Sequence, residues 1–182
     1  MSVPGDSTSS LSPADSEPPG RLAVTIVEED GDWGGFGLIE EAIGQAAAAL
    51  ARHRHLESAR GSEASVVLGS DALVRRLNRT FRGKDTPTNV LSFPSQKLPG
   101  AASDDGAYLG DVVLAAETVR QEAIELGIEP RHHLQHLVVH GLLHLLGYDH
   151  QADAAAEEME RLEAEILATI GVADPYAAAA TP

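Results

Sequence analysis

Apolar residues in this chain recur with two different periods, and the switches between them divide it into strands and helices. Short runs rich in β-branched residues occur at Leu22–Val27 and Ala64–Leu68, each compatible with a buried strand. Asn89–Phe93 reads as a third strand, ended by Pro94, which cannot donate to a ladder. Tyr108–Leu114 is a fourth. Elsewhere apolar positions return every three or four residues, the helical repeat. Leu38, Ala42, Ala46 and Ala49 share one face of a helix ending near Leu50. Ser70 or Asp71 can cap a helix through Leu73 and Leu77. Ala116, Val119, Ala123 and Leu126 mark a third helix that Gly127 is placed to stop. Pro130 opens a fourth, apolar almost all round as far as Leu146, the pattern of a buried central helix. Residues 153–170 form the last, with Met159, Leu162, Ile166 and Ile170 inward and the Glu residues outward.

Strands interleaved with helices predict a single α/β domain, a small mixed central sheet of about four strands flanked by about five helices. The two close strands either side of residues 95–107 predict an antiparallel pair. Residues 1–20, rich in Ser, Pro, Gly and Asp, are expected to be a disordered N-terminal tail. Residues 21–172 are the expected folded domain, and 173–182 a flexible C-terminal tail. Trp33 and Phe36, in a turn-rich stretch, are expected to pack back on the core.

The densest chemistry lies at the end of the central helix, where His140–His150 reads HGLLHLLGYDH. His140 and His144 are four apart, so a helix sets them one turn above each other on one face. Gly147 tolerates the left-handed conformation that ends a helix, letting the chain turn back and bring His150 to the same ion. Three neutral imidazoles without Cys suit one Zn²⁺ per chain and leave a fourth position open for water, as in a catalytic site. The spacing matches that of long-motif zinc proteases, but Gly141 stands where those carry the Glu that acts as general base. His136, one turn further up, is expected to line the cleft without binding metal. His53, His55, His132 and His133 are expected at the surface. Asp111 and Asp149 read either as partners that orient the histidines or as ordinary strand-end and turn carboxylates.

Composition narrows the setting. With 13 Lys and Arg against 28 Asp and Glu, the formal charge is −15, which argues against loose binding to nucleic acid. There is no Cys, hence no disulfide framework or thiolate metal site. No stretch approaches an apolar membrane span, and the first twenty residues lack a basic start and an apolar run, so a cytoplasmic protein without membrane contact is expected. Positive charge is nonetheless clustered once, at Arg75, Arg76, Arg79, Arg82 and Lys84. Arg75, Arg76 and Arg79 fit either a solvated helix face or contact with RNA, and Arg79 is carried forward as a substrate-binding candidate. Arg82 and Lys84 lie in a Gly-containing loop before a short strand, where function concentrates, and a guanidinium suits bidentate contact with phosphate.

Arg82–Gly83–Lys84, Thr88–Asn89–Val90–Leu91–Ser92–Phe93–Pro94, Leu109–Gly110–Asp111 and the His140–His150 segment, in this order, resemble the YbeY family over about residues 22–171. These are bacterial and organellar zinc-dependent endoribonucleases linked to ribosomal RNA maturation. The resemblance implies that His140, His144 and His150 are the zinc ligands and that Arg82 is needed for RNA cleavage by holding phosphate. It also implies a sheet of about four strands flanked by helices, a role in 16S rRNA 3′-end processing and ribosome quality control, and rRNA precursor and ribosomal particles as partners. The expected activity is hydrolysis of single-stranded RNA, with Arg82 catalytic and Arg82, Lys84 and Arg79 binding substrate. Two alternatives stay open, a zinc metallopeptidase on the same histidines and a non-catalytic ribosome assembly factor.

Overall fold

The computed structural model describes residues 20–95 and 107–177. Strands β1 (Ala23–Glu28), β2 (Glu63–Gly69), β3 (Val90–Pro94) and β4 (Tyr108–Ala115) form one sheet in the order β1-β2-β4-β3. The first two pairings are parallel, and β3 runs antiparallel to β4 at the sheet edge, the mixed sheet and hairpin-like pairing that the spacing predicts. Helices α1 (Ile39–Arg52), α2 (Asp71–Arg82), α3 (Ala116–Leu126), α4 (Pro130–Leu145) and α5 (Asp153–Ala168) complete the α/β domain. Each expected strand and helix is present within a residue or two of its expected bounds.

Strand alternation divides the core. The register pairs Val66 with Val112 and Leu68 with Leu114, so these share a face. On that face they join Leu134, Val138, Leu142 and Leu143 of α4, with α1 and α5 packed around it. The opposite face carries Leu91, Val113 and Ala115 against Val74 of α2. Ser70 caps α2 by accepting the Leu73 amide at 3.2 Å. Helix α4 starts with Pro130 at its first turn and is buried on nearly every side, as its apolar sequence requires. Phe36 is buried and Trp33 packs on it, ring centroids 5.0 Å apart.

Three expectations about burial need correction. His133 is only 4% exposed, because its Nε2 meets the Glu122 carboxylate at 2.7 Å and gains a partner inside. His53 is likewise drawn in by Glu165, at 3.1 Å. Glu163 is the third; it points inward from α5 and is 0% exposed. Residues 1–19, 96–106 and 178–182 lie outside the described residues, so most of the expected N-terminal tail, half of the C-terminal one and most of the 95–107 excursion do too. Within the second tail, the Tyr176 hydroxyl donates to Glu163.

Candidate metal centre

Local sequence builds the histidine ledge. After Leu145 the helix closes with Leu146, then Gly147 at φ 96°, a conformation that side-chain-bearing residues avoid. The Gly147 amide donates to the His144 carbonyl and the Tyr148 amide to the Leu143 carbonyl, both at 3.1 Å, the paired bonds of a Schellman stop. The reversal does two things. It turns the Tyr148 carbonyl onto His144 Nδ1 at 2.8 Å, and it carries His150 back beside His140 and His144. The ligand-type nitrogens of these three rings all lie within 4.8 Å of one another.

Their second nitrogens settle which atoms are free. His144 Nδ1 faces a carbonyl, which only accepts, so Nδ1 carries the proton. His140 Nδ1 faces Glu163 Oε1 at 2.7 Å and donates to that carboxylate. Both Nε2 atoms are therefore left with lone pairs, 3.1 Å apart. Two lone pairs so close repel unless a proton or cation lies between them. A tetrahedral ion with bonds of about 2.0–2.1 Å spaces its nitrogens about 3.3–3.4 Å apart, so a zinc ion fits with a small adjustment. Burial lowers the His144 pKa, and the neighbouring His140 and His150 lower it further, favouring the neutral ring that binds metal.

Glu163 is the group that sequence reasoning missed. One carboxylate accepts from His140 through Oε1 and from His136 through Oε2 at 3.0 Å, with Tyr176 also donating to Oε2. Burial alone would raise its pKa, but hydrogen bonds from His136, His140 and Tyr176 outweigh that and hold it at about 2. Burial and then the bond to Glu163 raise the Tyr176 hydroxyl above its ordinary value. The signal was present in the chain: Glu163 lies four residues after Met159 and three before Ile166, on the inward stripe of α5. His136, His140 and Glu163 also form a second group close enough to share an ion, although it reuses His140. Correcting the sequence reading, His136 does not line the metal cleft. It faces Glu163 and borders a separate cavity with Leu126, Ile128 and His133.

The cleft itself, about 420 Å³, is lined by Arg82, Ser92, Pro94, His144, His150 and the turn between the two histidines. Arg82 ends α2, which stops at Gly83 in the left-handed conformation. Buried Asn78 donates to the Thr86 carbonyl at 2.8 Å and ties the following loop back to the helix. Lys84 and Arg79 are exposed and not on the cleft wall, and Arg75 is paired with Asp85 at 2.9 Å. Asp111 accepts from the Tyr108 hydroxyl, and Asp149 accepts the Gln151 amide within its own turn; among the described residues neither is bonded to a histidine. Gly141 has a packing reason. A Cβ there would lie 2.5 Å from Val112 Cγ1 and 2.9 Å from Cγ2, and Ser92 donates to its carbonyl at 3.1 Å. A protease-type Glu has no room at this position.

Comparison with known proteins decides the family. A family profile described as Endoribonuclease YbeY matches residues 37–171. The chain belongs to the YbeY endoribonuclease family. Proteins named Endoribonuclease YbeY from Azorhizobium caulinodans and Parvibaculum lavamentivorans are similar to it throughout the domain. The first is 48% identical over 157 residues, 86% of this chain and 97% of the relative. The second is 44% identical over 166 residues, 86% of each. A YbeY protein from Rhodospirillum rubrum is 48% identical over 172 residues, 90% of this chain and 85% of its own. Among the described residues no helix is long and apolar enough to cross a membrane.

Proposed function

We propose that this chain is a zinc-dependent endoribonuclease that hydrolyses phosphodiester bonds in single-stranded RNA, with His140, His144 and His150 holding one ion. The reading includes a cytoplasmic role in rRNA maturation, 16S 3′-end processing and ribosome quality control, with ribosomal particles as partners and residues 21–172 as the catalytic domain. The observation that carries it is that Arg82 shares one cleft with His144 and His150, which themselves converge with His140. Zinc held there would supply Lewis acidity, acidifying a bound water and polarising a phosphoryl oxygen.

The chain's own residues supply the rest. Glu163 and the Tyr148 carbonyl hold the two helix histidines in the tautomer that exposes Nε2. Arg82 presents a planar fork to the non-bridging oxygens and offsets charge that builds on them during attack. Arg79 and Lys84 stand outside the cleft wall and attract the flanking backbone. The metallopeptidase reading is disfavoured by Gly141, whose place against Val112 excludes a general-base Glu.

The test offers RNA and a denatured protein side by side, with metal stripped and then restored. Metal-dependent cleavage of RNA alone is expected. Cleavage of protein but not RNA would support the peptidase, and cleavage of neither the assembly factor.

A further inference from the structure

The stripe of α2 that faces the sheet runs Val74, Leu77, Asn78 and Phe81 at helical spacing. Val74 and Asn78 are buried and Leu77 partly so, but Phe81 is 65% exposed. The stripe outruns its cover, because β3 is the sheet edge and no strand lies beyond it among the described residues. Among the described residues the one ring Phe81 meets is Phe93, edge-on, with centroids 5.1 Å apart. That contact leaves most of the Phe81 side chain exposed.

Its surroundings separate it from an ordinary exposed apolar side chain. Arg82, the next residue, lines the metal cleft, and Phe93 sits between Ser92 and Pro94, which line it too. Arg76, Arg82 and Lys84 have no carboxylate partner among the described residues, whereas Arg75 is satisfied by Asp85. In a chain of net charge −15, this is the stretch where cations cluster. Ile124 and Leu126 are about as exposed, but they are aliphatic and have Glu122, Glu125 and Glu129 as sequence neighbours, which repel phosphate.

We infer that Phe81 is a stacking platform for an unpaired RNA base whose neighbouring phosphate is held by Arg82. The inference rests on the RNA reading of the cleft and adds the residue that selects single strands. Stacking on an aromatic face tolerates any base, but a base inside a duplex already has both faces covered.

The test uses the zinc-loaded full chain, over a series of salt concentrations, with a single-stranded RNA of about ten nucleotides carrying 2-aminopurine. Phe81→Leu should weaken binding roughly five- to a hundredfold while leaving the thermal midpoint and the salt dependence unchanged. Phe81→Trp should keep wild-type affinity, and its added emission should be quenched by RNA beyond any change in the wild type, whose one tryptophan is Trp33. Wild-type affinity in Phe81→Leu overturns the inference alone, as does unchanged emission from Phe81→Trp at saturation. A reduced salt dependence in Phe81→Leu also overturns it, since the ring would then act only by positioning Arg82. If the wild-type protein binds no single-stranded RNA, the reading of the cleft fails and this inference with it.

Discussion

Replacing Glu163 by Gln keeps the shape of a fully buried side chain and changes its charge and its hydrogen bonding. In the native protein Oε1 accepts from His140 Nδ1, while Oε2 accepts from His136 and Tyr176. An amide has one accepting oxygen and one donating nitrogen, so it must choose. With its oxygen towards His140, the histidine keeps its tautomer but loses a charged acceptor, and zinc affinity falls about tenfold. With its nitrogen towards His140, the imidazole proton is driven onto Nε2, the atom that binds metal, and the loss approaches about a hundredfold. The expected range is therefore about 1.4–2.8 kcal/mol in zinc binding. The metal-free protein should also lose about 1.5–3 kcal/mol of stability for each charge-assisted bond not replaced. Competition against a chromophoric chelator measures the first quantity and urea unfolding of metal-free protein the second. A Glu163→Gln protein that binds zinc as tightly as wild type would refute the argument that this carboxylate sets the His140 tautomer.

Arg82→Ala should retain zinc and lose RNA cleavage, because Arg82 lines the cleft and makes no hydrogen bond to a histidine among the described residues; metal analysis beside a cleavage assay checks both, and loss of zinc would make Arg82 structural. Gly141→Ala should destabilise the fold, since overpacking against Val112 costs about 1–3 kcal/mol and the gain in helix propensity returns only about 1. A paired Val112→Ala should restore part of that loss in urea unfolding, and a raised midpoint in the single variant would contradict the packing account. Ser70→Ala should cost about 1 kcal/mol by removing the cap on α2, read as a lower thermal midpoint with zinc content unchanged.

The fold was largely legible because its strands are short apolar runs and its helices carry clear stripes. The antiparallel β3–β4 pair could be foreseen since the two strands follow one another with no helical stripe between them to carry a parallel crossover. The candidate histidine group was legible for a related reason: His140, His144, Gly147 and His150 are local in sequence, so one helical turn and the stop at Gly147 bring the three rings together. What could not be read is what distant elements contribute. Glu163 meets His140 across 23 residues, and Tyr176 meets Glu163 from beyond the end of α5. A glutamate on an amphipathic helix reads as solvated until a histidine on another helix is placed opposite it. His133 is the same lesson reversed, buried because Glu122 of α3 reaches it. Asn89 completes that group by donating to Glu122 at 2.9 Å, where an Asp would set two carboxylates in contact. Gly141 was legible as a missing base, but its physical reason, contact with Val112, required the sheet beneath it.

The most direct test of the central claim is X-ray absorption of the zinc-loaded protein combined with metal analysis of His140→Ala, His144→Ala and His150→Ala. The account predicts one zinc per chain with three imidazole nitrogens at about 2.0–2.1 Å, a remaining oxygen from solvent, and loss of tight binding in each variant. A fourth protein ligand bound to the ion, or full zinc occupancy in any of the three variants, would contradict it.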